Sequence, residues 1–285
     1  SFFLFIKSDV KKAGALGAGL IVLFIGADYA AYRAGLIVHP LWIPAAILIL
    51  YVISIVAHYI KSVIEKQQVT RTFERYVAPE IVKEIMKEGM ESLSLGGKVC
   101  DIAVLFVDVR GFTTMSERLD PEKVVFILNK YLTMASDCVE RNKGTLDKFV
   151  GDAMMAFWGA PLPQEDAVYN AVKTAWEIVE GAARVSDELK AEIGEELRVG
   201  VGVNFGKAVV GNMGASKHMD YTAIGDTVNT AARLEANAPG GCVYISRAVA
   251  DELGDRITFT SLGATIKLKG KAEGFEVLKL ESIQE

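Results

Sequence analysis

Cysteine is scarce in this chain: there are three in 285 residues, Cys100, Cys138 and Cys242, each in or beside an apolar run and none at a metal-ligating spacing. That argues against a disulfide-stapled secreted scaffold and a zinc module, and fits reduced thiols in a cytosolic compartment. A basic excess is also lacking. Thirty-one Lys plus Arg stand against 36 Asp plus Glu, a net charge of −5, so nothing in the charge points to nucleic acid. No glycine-rich fingerprint of a dinucleotide fold is present. Hydrophobic residues make up 51% of the sequence, and much of that excess lies before residue 61. Length allows one ordinary domain plus something smaller.

The apolar excess takes the form of two segments. Ala13 to Tyr32 and Leu41 to Ile60 each approach the roughly 20 residues that cross about 30 Å of hydrocarbon, and a buried soluble helical hairpin is the competing reading. Lys7, Lys11 and Lys12 precede the first segment and Lys61, Lys66, Arg71 and Arg75 follow the second, while the connecting loop has only Arg33 and His39. The positive-inside bias then puts both ends in the cytoplasm and Tyr29, Tyr32 and Trp42 in the outer aromatic belt. Gly14, Ala15, Ala18 and Gly19 offer a small-residue face for close helix approach. The chain opens on Ser1, and Phe2 to Ile6 is apolar but too short to span, so a fragment lacking its N-terminal part is expected. The division expected is a transmembrane region over 1–60, a helical linker over 61–92 and a catalytic domain over 93–285.

A heptad runs through the linker, with Val56, Val63, Thr70 and Val77 at one seam position and Tyr59, Lys66 and Phe73 at the other. A short parallel coiled coil in a dimer is the expectation, weakened in the middle by Lys66 and Thr70. Pro79 opens another helix through about Met90, ahead of a break at Gly96-Gly97.

Downstream, elements alternate. Val99 to Val107 reads as a buried strand, followed by Asp108-Val-Arg-Gly111-Phe112-Thr113. Pro121 to Arg141 is an amphipathic helix. Thr145 to Phe157 reads as a tight hairpin turning on Gly151-Asp152. Gln164 to Lys190 is a second long helix. Leu197 to Val203 and Lys207 to Asn212 read as a further hairpin turning at Gly206. A helix over 226–237, a strand over 242–245 and C-terminal strands near Ile257, Ile266 and Phe275 complete an α+β domain.

Two acids in this layout invite chemistry. Asp108 sits where a buried strand enters a glycine-containing loop whose amides can face phosphate oxygens, and Asp152 sits at the tip of a hairpin. Such a pair suits Mg²⁺, which takes one or two carboxylates plus substrate phosphates. A turn residue and a surface ion pair with Lys148 are the competing readings. Asn229 and Arg233, four apart on a helix, share one face.

Phe106-Val-Asp108-Val-Arg-Gly-Phe-Thr113, Lys148-Phe-Val-Gly-Asp152 and Gly225-Asp-Thr-Val-Asn229-Thr-Ala-Ala-Arg233-Leu, in that order, resemble the class III nucleotidyl cyclases, specifically the bacterial adenylyl cyclases. The resemblance covers roughly residues 70 to 282; the preceding segment resembles the membrane region of cyclases that carry an extracellular CHASE-type sensor. It implies a ferredoxin-like palm and a reaction in which the ribose 3′ hydroxyl of ATP attacks the α-phosphorus as pyrophosphate leaves. It also implies two Mg²⁺ or Mn²⁺ ions per active site on Asp108 and Asp152. The backbone of Gly111, Phe112 and Thr113 would face phosphate. Asn229 would position ribose, Arg233 would stabilise the transition state, and Lys269, flanked by Lys267 and Lys271, would meet the terminal phosphates. Adenine offers an acceptor at N1 and a donor at N6, which suit Lys148 and Thr222; because a hydroxyl both donates and accepts, Thr222 alone discriminates weakly.

The same resemblance implies a homodimer with composite sites. Asp108 and Asp152 come from one subunit, and Lys148, Thr222, Asn229, Arg233 and Lys269 from the other. ATP and the lipid bilayer are the remaining partners expected, at a plasma membrane with the catalytic domain inside. A guanylyl cyclase and a catalytically silent dimerisation module are the alternatives; the Gly-Gly-acid-acid-Phe loop of a diguanylate cyclase is absent.

Overall fold

A computed structural model describes residues 10–35, 42–73, 96–215, 218–263 and 275–284. The chain divides into two units, Ser1–Tyr76 and Val77–Glu285.

The first unit holds two helices, α1 (Val10–Arg33) and α2 (Trp42–Phe73). They meet where Gly14 leaves room for the Tyr51 ring: a Cβ on Gly14 would lie 3.0 Å from the Tyr51 hydroxyl. Gly17 is buried, whereas Ala15, Ala18 and Gly19 are exposed. The close approach seen at this face is that of Gly14 to the Tyr51 ring. Large apolar side chains such as Val22, Leu23, Leu48 and Ile49 face outward. Among the described residues one stretch, Ala45–Ile64, is long and apolar enough to cross a membrane, with a mean hydropathy of 2.1. The seam expected beyond Phe73 and the helix expected at Pro79 lie outside the described residues.

The second unit is a mixed α+β fold on one eight-stranded sheet. Its elements run β1 (Gly96–Val109), α3 (Phe112–Arg118), α4 (Pro121–Arg141), β2 (Thr145–Val150), β3 (Ala153–Trp158), α5 (Ala167–Ile193), β4 (Val199–Ala215), β5 (His218–Ile224), α6 (Asp226–Asn237), β6 (Cys242–Ser246), α7 (Arg247–Leu253), β7 (Ile257–Ser261) and β8 (Val277–Ile283). The strand order is β2-β3-β1-β4-β6-β8-β7, with β5 paired to β4. β1 lies antiparallel to both β3 and β4, whereas β4 and β6 are parallel.

The alternation in β1 explains why both faces of the sheet are covered. Ala103, Leu105 and Val107 join the main core with Ile127, Tyr131, Ile178 and Trp158. Ile102 and Val104 face the other way, into a smaller cluster with Phe157, Val210 and Ala223. That second cluster brings β5 over β3: the rings of Tyr221 and Phe157 have centroids 6.5 Å apart.

Glycine produced two misreadings of the sequence. The hairpin expected at Gly206 is one continuous 17-residue strand, β4, and the break expected at Gly96-Gly97 is the paired start of β1. These glycines mark close approach. A Cβ on Gly202 would run into the backbone of Ala231 and Glu235 on α6, one on Gly211 into Gly96, and one on Gly97 would lie 2.7 Å from a Val209 methyl. A helix can lie this near a strand only where side chains are missing.

Candidate active site

β1 ends its buried run at Val107, and Asp108 follows, about a third exposed. Because Val107 pairs with Met154, the turn between β2 and β3 falls beside Val109. Gly151 takes φ 65° there, and Asp152 is half-buried rather than at an exposed tip. The result is two carboxylates within hydrogen-bond reach of each other. Asp152 is pushed up to about 6, first by burial and then by the hydrogen bond to Asp108 and its charge, against the opposing pull of its own amide and that of Val109.

Beside this pair of carboxylates stands one guanidinium, Arg110, 3.4 Å from Asp108. Among the described residues no third Asp, Glu, His or Cys joins them as a metal cluster. The donor set therefore fits a hard divalent cation that completes its shell with phosphate oxygens. Gly111, at φ 75°, opens α3, and Thr113 is exposed. Phe112 packs its ring against the main core, leaving its backbone as the group it can offer.

Arg110, quoted within the first motif but given no role there, is the organiser of this corner. Its guanidinium reaches Asp108 Oδ2 at 3.4 Å, Glu235 Oε1 at 2.6 Å and the carbonyls of Glu235 and Ala238 at the end of α6. Burial pushes the Glu235 carboxyl up, and Arg110 holds it back. Tyr131 lies fully buried in the same region with no hydrogen-bond partner for its hydroxyl. Burial first, then Asp108, Asp152 and Glu235, keep that phenol from ionising. Asn229 is exposed and Arg233 half-buried on α6, so the helix that Arg110 clasps is the one carrying both.

A second cluster forms around a residue the sequence reading missed. β2 has a bulge between Leu146 and Lys148, where Asp147 is the extra residue. In a regular strand Asp147 and Lys148 would point to opposite faces. With the bulge both reach β5: the Thr222 hydroxyl donates to Asp147 Oδ2 at 2.5 Å, and Lys148 Nζ lies 3.6 Å from Asp220. Lys148 Nζ is also 3.5 Å from Asp147 Oδ1, an ion pair rather than an aligned hydrogen bond. The Asp147 side chain is 1% exposed. Burial pushes its carboxyl up, while the Thr222 hydroxyl, Lys148 and the Ala223 amide oppose that shift.

The structure thus joins Asp108 to Asp152 and Lys148 to Thr222. Among the described residues no hydrogen bond or ion pair joins these two clusters directly. Lys269 lies outside the described residues. A cavity of about 450 Å³ lined by Ser186, Lys190, Arg198 and Gly240 contains none of the predicted residues.

Residues 97–280 match a family model described as the adenylate and guanylate cyclase catalytic domain. Adenylate cyclase 1 of Rhizobium meliloti is 34% identical over 74% of this chain, which spans only 32% of that relative's length. Among solved structures, the adenylyl cyclase CyaB from P. aeruginosa is 33% identical, with a TM-score of 0.64 over 67% of this chain and 98% of that one. The guanylyl cyclase Cya2 is 32% identical with the same TM-score, over 67% of this chain and 96% of that one.

Proposed function

The chain belongs to the adenylate and guanylate cyclase catalytic domain family, and we propose that it is a membrane-anchored adenylyl cyclase converting ATP to 3′,5′-cyclic AMP and pyrophosphate in a homodimer. The observation that carries the choice of ATP is the meeting of Lys148 and Thr222 at one carboxylate. An ammonium has only donors to give, which match N1 of adenine and oppose the N1–H of guanine. Two donors left facing each other in a closed site give large discrimination against guanine.

Asp108 and Asp152 would hold the divalent metal, which supplies a lowered pKa for the 3′ hydroxyl and shielding of the triphosphate. Asn229 orients the ribose, and Arg233 meets charge growing on the α-phosphate. The amides around Gly111 and Thr113, and Lys269, hold the remaining phosphates. No covalent intermediate with the protein is needed.

Lys148 sits on the first arm and Asp152 in the turn of one short hairpin, yet they serve opposite ends of the nucleotide. Head-to-tail pairing resolves this, with Asp108 and Asp152 from one subunit and Lys148, Thr222, Asn229, Arg233 and Lys269 from its partner. Two spans, within α1 and α2, anchor the chain with both ends in the cytoplasm. The outward-facing apolar side chains of both helices and the stretch Ala45–Ile64 support that placement. Residues 61–92 then link the anchor to the catalytic domain of 93–285.

The deciding assay supplies ATP and GTP side by side with Mn²⁺ or Mg²⁺. Cyclic AMP formation with a clear preference for ATP is expected. A preference for GTP would replace the adenylyl reading with a guanylyl one, and turnover of neither would make the domain a silent dimerisation module.

A further inference from the structure

A threonine hydroxyl is a poor reader of purines when it is free to rotate. It can accept from the amino group that adenine carries at position 6 or donate to the oxygen that guanine carries there. In this chain the hydroxyl is not free. Its proton is directed at Asp147 Oδ2 over 2.5 Å, and the carboxylate is held in place by 99% burial of its side chain, the neighbouring Lys148 and the Ala223 amide. Thr222 itself is 8% exposed, so solvent offers its proton little competition.

We propose that Asp147 is a specificity-determining positioning residue: by taking the Thr222 hydroxyl proton it leaves Thr222 only lone pairs to present, so that this position accepts from the 6-amino group of adenine and repels the 6-oxo group of guanine. The inference rests on the assignment of Lys148 and Thr222 to the base. It removes the weakness of that assignment, because a two-way hydroxyl becomes a one-way acceptor. Asp147 performs a second task with its other oxygen, 3.5 Å from Lys148 Nζ, which keeps the ammonium at the same end of the base.

Asp147→Asn is the informative change because it keeps the shape and replaces one oxygen by an amide NH₂. The ammonium of Lys148 favours the remaining oxygen on its own side, so the NH₂ falls toward Thr222 and donates to it. The threonine proton then turns outward, toward the position a guanine oxygen would occupy.

The test uses the full chain in detergent as wild type, Asp147→Asn, Thr222→Val and the double variant. The readout is the ratio of kcat/KM for ATP to that for GTP, repeated as a ratio of nucleotide dissociation constants. A purely structural role would depress both nucleotides together and leave these ratios alone. Asp147→Asn is expected to lower the ratio by about tenfold or more, at an unchanged melting temperature. Thr222→Val is expected to lower it comparably, and the double variant no further than Thr222→Val alone, since the two residues act as one unit. A ratio within about twofold of wild type in Asp147→Asn, or full additivity in the double variant, would overturn the proposal. If Asp147→Asn fails to fold, Thr222→Val decides alone, and an unchanged ratio there overturns it. A wild type that prefers GTP sinks the adenylyl reading and this inference with it, whereas an ATP-preferring wild type with an unmoved variant ratio sinks only the inference.

Discussion

The two acidic clusters of the catalytic unit are built on opposite plans. At Asp108 and Asp152 two carboxylates face each other, and the second is pushed up to about 6 by burial and by its neighbour. At Asp147 a single carboxylate, more deeply buried, is surrounded by a hydroxyl, an amide and an ammonium. One arrangement sets two carboxylates against a single guanidinium, Arg110, at 3.4 Å from Asp108, and the other sets a buried carboxylate against a hydroxyl and an ammonium. Under the proposed function, the contrast separates a place for a cation from a place that arranges donors and acceptors. One acid from each, Asp152 and Asp147, lies on the same short hairpin.

The largest effect expected falls on the Asp108–Asp152 cluster. Asp108→Ala or Asp152→Ala should lower turnover by about a thousandfold or more, since metal-held charge stabilisation is worth several kcal/mol, while the melting temperature stays near wild type. Full activity in either variant would erase the distinction between the clusters.

Next comes the allocation of the clusters to subunits. Mixing inactive Asp108→Ala chains with inactive Arg233→Ala chains should restore about a quarter of wild-type activity, because random pairing gives about half mixed dimers, each with one of two sites intact. Confirmed chain exchange without recovered activity would mean that each chain completes its own site.

A change in the Asp147 cluster should move selectivity more than rate. Lys148→Glu replaces a donor-only group by an acceptor and should lower the ATP to GTP ratio of kcat/KM by about a hundredfold. An unaltered ratio would assign base reading to other residues.

The smallest effect sharpens the comparison through pH. Asp152 is raised in the folded state, so between about 4 and about 6 the folded chain binds more protons than the unfolded one. Its contribution to stability is present at low pH and is lost as pH rises through about 6. Without metal, this group should lower the melting temperature between pH 5 and pH 7. Mn²⁺ should raise that temperature more at pH 7 than at pH 5, and Asp152→Asn should remove both trends. Identical Mn²⁺ shifts at both pH values in the wild-type chain would contradict this account.

Where local pattern decides local structure, the sequence was a good guide. The run into Asp108, the Gly151-Asp152 turn and the whole of α6 are legible because each depends on period, punctuation or helix spacing within a few residues. Gly206 was not, since a glycine that allows Thr227 to approach a strand looks the same in sequence as a glycine that turns a hairpin. Asp147 stayed hidden for another reason. Its role depends on a bulge that breaks the two-residue alternation on which strand reading relies, and on a strand, β5, that the sequence reading had not assigned. Arg110 was visible, but its partners Glu235 and Ala238 are brought to it only by the packing of α6 on β4.

The ladder between β2 and β3 pairs Leu146 with Ala156 and Lys148 with Met155. Successive residues of β3 are thus already matched on either side of Asp147, and the sheet has no use for that residue. A hairpin with this one codon deleted could form every one of the same pairs. If Asp147 positions Thr222 as proposed, gain or loss of that carboxylate is a single insertion or deletion away, on a scaffold whose backbone pairing does not record the event.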